Sequence, residues 1–171
     1  MTARIGDIGL VKIKGDVGRM IRIGQWLNGD GFADYEHAVI AVAVAGGGVQ
    51  AVGAQPGGAD YEFYGPDDGV LWWSPADLSD AQRRCIAADA RKLIGTPYSF
   101  LDYAAIAAHR LRLPVPGLRT YIADSRHLIC SALADRCYQD AGVQLFTDGR
   151  WNGYVTPADL ANLAMRSTAP A

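Results

Sequence analysis

Ala38 to Ala45 is the longest apolar run in the chain. With His37 at its head (HAVIAVAVA) it has strand length and no polar alternation, which predicts a central strand buried on both faces. Gly46-Gly47-Gly48 reads as a turn and Val49 to Ala54 as a return strand, so the two runs predict a β-hairpin. Ile8 to Ile13, behind Gly6-Asp7, predicts a first strand, and Val70 to Trp73 another. Gln55-Pro56-Gly57-Gly58 reads as a turn cluster.

Helical spacing appears at Val17, Met20, Ile21, Ile23 and Leu27, closed by Asn28-Gly29-Asp30-Gly31. Ser79 with Gln82 three residues on predicts a capping box and a helix to about Ile94, broken by Gly95-Thr96-Pro97. Ser99 to Leu111 is a second helical stretch, and Arg126 to Ala141 a third, stopped by Gly142. Thr156 and Pro157 suit the cap and first residue of a short last helix, Ala158 to Ala164. Ser167 to Ala171 reads as a loose tail. Strand and helix patterns mix without an internal repeat or a linker. They predict one α+β domain over residues 1–171, with a core at about 6–164.

Composition narrows the partners. The chain has 171 residues with 20 glycines and 8 prolines, which suits many turns, and a formal charge of −2, which argues against nucleic acid as a partner. Three cysteines do not make a disulfide framework. The N-terminus lacks the apolar stretch of a signal peptide, and no run is long enough to span a bilayer, so a soluble, non-transmembrane protein is expected. No nucleotide-binding glycine motif and no Cys-x-x-Cys or histidine-rich spacing is present, so neither cofactor nor metal is expected. Asp67-Asp68, flanked by Gly65 and Gly69, reads as a turn rather than a carboxylate dyad.

Cys130 lies in Leu128-Ile129-Cys130-Ser131-Ala132, near the start of the third helix. A sulfur in a first turn meets the positive end of the helix dipole and unpaired N–H groups, which favour thiolate and an oxyanion beside it. The competing reading is a small buried core residue. Cys137, mid-helix, and Cys85 fit the structural reading. His37 heads the most apolar strand, where a stiff backbone could aim an imidazole at a thiol as general base; a hydrogen-bonded strand-end histidine is the plain alternative. His109 and His127 read as surface or packing residues.

Several separated segments, taken in order, resemble the circularly permuted papain-like branch of the NlpC cysteine peptidases, the YiiX-like and lecithin retinol acyltransferase-like group. They are Gly6-Asp7-Ile8-Gly9-Leu10-Val11, the stretch Val17 to Trp26, Tyr35-Glu36-His37, Ala54-Gln55-Pro56-Gly57-Gly58, Gly95-Thr96-Pro97-Tyr98, Ile129-Cys130-Ser131, and Thr156 to Leu160. The resemblance covers Gly6 to Leu163. It implies a small antiparallel sheet or partial barrel packed against helices, Cys130 as nucleophile and His37 as base. It also implies Tyr98 and Ser131 at the substrate. The chain departs from the family in one place. Members often carry a glutamate in the strand before Gln-Pro-Gly-Gly, where this chain has Gly53, so Gln55 is the nearest candidate for a third member.

The implied activity is a thiol hydrolase acting on peptide or lipid amides or esters, with cell-wall peptide the substrate most associated with such folds. The composition suits a cytoplasmic or virion-associated protein. The rival reading, which Gly53 favours, is a catalytically weak papain-like module with a structural or binding role, for example beside other virion proteins in a phage particle.

Overall fold

Strict two-residue alternation organises the sheet. The computed structural model describes residues 2–13, 35–55, 57–97, 129–150 and 154–168. Within them β1 (Ile8–Val11), β2 (His37–Ala45), β3 (Gly48–Gln55), β4 (Gly58–Tyr64) and β5 (Leu71–Trp73) form one antiparallel sheet in the order β4-β3-β2-β1-β5. Three helices accompany it: α1 (Asp80–Lys92), α2 (Cys130–Asp140) and α3 (Pro157–Thr168).

One face of the sheet carries Ile8, Leu10, Ala38, Ile40, Val42, Val52 and Ala54. It packs on Ile86, Ala87 and Ala90 of α1 and on Leu133, Ala134, Cys137 and Tyr138 of α2, with α3 alongside. Positions one residue out of step (Val39, Ala41, Val49, Ala51 and Trp72) make a second apolar cluster on the opposite face. There the Tyr64 ring of edge strand β4 meets the Trp72 ring of the other edge strand, β5, at 6.0 Å. Four strand spacings separate those edges, about 19 Å in a flat sheet, so the sheet curls toward this face. Gly9 makes room for the curl, because a Cβ there would run into Trp72 and Val39.

The expected hairpin is β2–β3, turned at Gly46 and Gly47 with φ of 60° and 81°. Burial on both faces holds from His37 to Val42; Val44 and Ala45 emerge into solvent beyond a bulge between Ala41 and Ala43. The Ser79–Gln82 capping box is present at α1. Thr156 and Asp159 cap α3 reciprocally, and that helix runs to Thr168, through the start of the expected tail. Sequence patterning missed β4 altogether. It also started the third helix too early: Ile129 is extended (φ −99°, ψ 156°), so α2 begins at Cys130. The expected helices at Val17–Leu27 and Ser99–Leu111 fall outside the described residues. Among the described residues, no helix is long and apolar enough to cross a membrane.

Candidate active site

Two element starts meet. His37 is the first residue of β2, held on one side by Val11 of β1. Cys130 is the first residue of α2, which packs against β2 and β3. Both residues are buried, and Cys130 lies near enough to the His37 ring to act on its ionisation. Its Nε2 lies 2.9 Å from Glu62 Oε1, which leaves Nδ1 as the nitrogen available to the sulfur. The imidazole thus stands between a thiol and a carboxylate.

The electrostatics follow from that position. Burial alone pushes His37 down, since a buried cation loses its hydration. The hydrogen bond and charge of Cys130, followed by those of Glu62, outweigh it and carry the imidazole from 6.5 up to about 10. For Glu62 burial acts upward, but the His37 hydrogen bond and charge, with the Tyr64 hydroxyl, hold the carboxyl below its ordinary 4.5. The result is an imidazolium at neutral pH, fixed in orientation by an ionised acid.

Glu62 comes from β4, the edge strand beyond β3, and reaches His37 over Gly53. A Cβ on Gly53 would overlap Glu62 Oε1 and lie 2.8 Å from Val39 Cγ1 and 2.9 Å from His37 Nε2. The second carboxylate oxygen accepts from Tyr64 Oη at 2.5 Å. Tyr64 in turn has its own ionisation pushed up, by burial first and then by Glu62. Neither Glu62 nor Tyr64 stood out in the sequence. The signal that could have found Glu62 is Gly53, a glycine inside a strand where no turn calls for one, followed nine residues on by a glutamate.

The start of α2 carries no side-chain cap and no acidic residue in its first turn. The positive end of the helix is therefore not neutralised by its own side chains, which suits an anion at Cys130. Cys137, two turns further along the same face of α2, is fully buried, and burial pushes its thiol up to about 12. Cys85 Sγ donates to Asp89 Oδ2 at 3.4 Å, which raises that thiol above its ordinary value.

Two residues expected at the site play other parts. Gln55 ends β3 opposite Gly58, two residues on from Gly53 and so on the face of Gly53 and His37, but among the described residues the side chain that bonds the His37 ring is Glu62. Ser131 is fully buried and its hydroxyl donates to Val155 O at 2.6 Å, so its side chain ties α2 to the approach of α3 rather than facing a substrate. Tyr98, His109 and His127 lie outside the described residues. Among the described residues, no group of three or more His, Cys, Asp or Glu is placed to hold a metal ion. No protein-family model matches the chain, and no curated protein matches it.

Proposed function

We propose that the protein is a thiol hydrolase that cleaves an amide or ester through an acyl-enzyme, with Cys130 as nucleophile and His37 as proton carrier. The observation that carries this reading is His37 anchored on Glu62 at 2.9 Å, with Cys130 at the start of α2 acting on the same ring. That is the nucleophile, base and orienting-group arrangement covalent catalysis requires. The chain order, a histidine-bearing strand before a cysteine-bearing helix, and the curled antiparallel sheet support a permuted papain-like, NlpC-type fold.

The Cys130 sulfur, its proton held by His37, adds to the substrate carbonyl carbon. The first-turn amides of α2 bind the oxygen that gains charge. His37 gives its proton to the leaving amine or alcohol as the C–N or C–O bond breaks, leaving a thioester on Cys130. Water then adds to the thioester and yields a proton to His37. The C–S bond breaks, the acid product departs, and Cys130 and His37 are ready for the next cycle. Peptide amides, those of cell-wall stem peptides first, and lipid amides or esters are the proposed substrates. The rival reading as an inert module drew its support from Gly53, and Glu62 on His37 removes that support.

The test is alkylation with iodoacetamide near pH 6, with the adduct mapped by mass spectrometry. Selective labelling of Cys130 that is lost in His37→Ala is expected. Labelling indifferent to His37, or preferring Cys85 or Cys137, overturns the reading.

A further inference from the structure

We infer, resting on the Cys130–His37 reading, that Glu62 is the positioning residue of His37, supplied by β4 in place of a side chain at position 53 of β3.

Three observations carry this. First, Gly53 is not a glycine for the sake of its backbone. It is absent from the positive-φ glycines of the chain, so any residue could adopt its conformation. What forbids a side chain there is space, and the atoms that fill the space are Glu62 Oε1, Val39 Cγ1 and His37 Nε2. The empty position and the migrated acid are therefore one arrangement.

Second, both carboxylate oxygens are committed. Oε1 takes the His37 nitrogen and Oε2 takes the Tyr64 hydroxyl. A carboxylate held at both oxygens cannot swing away, and it fixes which face and which nitrogen of the ring is turned to the sulfur. Tyr64 is itself placed by its edge contact with Trp72 and by pairing opposite Val49.

Third, the register delivers Glu62 without distortion. β3 and β4 pair without interruption from Val49↔Tyr64 to Gln55↔Gly58, with Gly53 opposite Asp60 and Glu62 opposite Ala51. Glu62 thus shares a face with Gly53, as does His37 through Val39↔Gly53. Among the described residues, the titratable groups acting on His37 are Cys130 from α2 and Glu62 from β4. Tyr64 holds Glu62 from behind, and Asp68 and Cys130 act on Tyr64.

The experiment measures two things on the full chain. The first is the titration of the His37 ring nitrogens by nitrogen-15 NMR, which needs no reactivity. The second is the rate of Cys130 alkylation against pH. Glu62→Gln is expected to lower the His37 titration point and to slow alkylation at pH 6 at least about tenfold. Glu62→Asp, which keeps the charge, recovers part of both. Tyr64→Phe shifts both in the same direction by less, and it carries the test should Glu62→Gln fail to fold. A His37 titration unchanged in folded Glu62→Gln or Tyr64→Phe overturns the inference. If His37 responds to Glu62 while Cys130 labelling ignores His37, the hydrolase reading fails and the positioning of His37 by Glu62 stands.

Discussion

Glu62 Oε1 and His37 Nε2 meet at 2.9 Å although a whole strand, β3, runs between their own strands. The contact passes over Gly53, whose missing Cβ is the opening it uses. Gly53→Ala is therefore a sharper probe than most glycine substitutions. Its methyl would overlap Glu62 Oε1 and press on Val39 and His37. Since Val39 is fully buried in the sheet, the side chain that yields is Glu62. Overpacking of this kind costs about 1–3 kcal/mol. A lower melting temperature is expected, together with slower Cys130 alkylation. Gly53→Ala with wild-type melting and wild-type alkylation would show that the space is not needed.

The same contact sets a pH dependence of stability. His37 is raised when folded, so its contribution is whole below 6.5 and is lost as pH rises through about 10. Glu62 is lowered when folded, so its contribution is whole above 4.5 and is lost as pH falls through its folded value. The stability gap between wild type and Glu62→Gln, read from urea unfolding at a series of pH values, should be widest between 4.5 and 6.5. It should narrow toward pH 10 and toward strong acid. A gap that is flat over that whole range contradicts the pairing.

The three thiols should separate cleanly. Cys137 is sealed in the core with its thiol pushed up to about 12, so it should resist alkylation until the protein unfolds. Cys85 is only half-buried but bonded to Asp89, which holds it protonated and slow near pH 6. Cys137→Ser should also destabilise, by about 1–3 kcal/mol, because it places a hydroxyl among Ile86, Leu133 and Tyr138 in an apolar core. Peptide mapping after labelling in native buffer and again in urea checks the two thiols, and urea unfolding of Cys137→Ser checks the destabilisation.

The central strand was legible to the residue: His37 to Ala45 is both the predicted and the observed span. Apolar run length decides a strand buried on two faces, and nothing competes with it there. The Ser79 and Thr156 helix starts were legible for a similar reason, since capping is local chemistry. β4 was not legible, because its alternation points the wrong way. In Gly58–Tyr64 the aromatics Tyr61 and Phe63 alternate with Asp60 and Glu62, which suggests aromatics inward and acids outward. The strand is an edge, Phe63 is 74% exposed, and the acid side is the one that turns to His37. The true start of α2 was hidden too: Leu128-Ile129 continues the apolar pattern into Cys130 and carries no capping residue. The Cys130–His37 candidates thus emerged from the chain alone, whereas the acid could be placed only once strand order and register were known.

The lead-in to β1 rests on a second buried pair, and its loss should be costly. Arg83 of α1 and Asp7 meet at 2.6 Å, each with about 7% of its side chain exposed. The same guanidinium donates to Ile5 O at 3.3 Å and to Ser74 Oγ at 2.9 Å, so it ties the N-terminal segment, the turn after β5 and α1 together. Beside it, Gly6 lies so close to Arg83 that a Cβ would sit 2.9 Å from the Arg83 Cα, and Tyr138 donates to Gly6 O at 2.7 Å. Arg83→Ala would leave the Asp7 carboxylate in the interior without its counter-ion, a change that costs about 3–5 kcal/mol. Replacing both partners by apolar residues of similar volume, Arg83→Met with Asp7→Leu, removes the stranded charge as well as the attraction. Urea unfolding of Arg83→Met, Asp7→Leu and the double should show the double more stable than Arg83→Met alone, with strong non-additivity. Single changes that add to the double within about 0.5 kcal/mol would mean that the two side chains do not depend on each other.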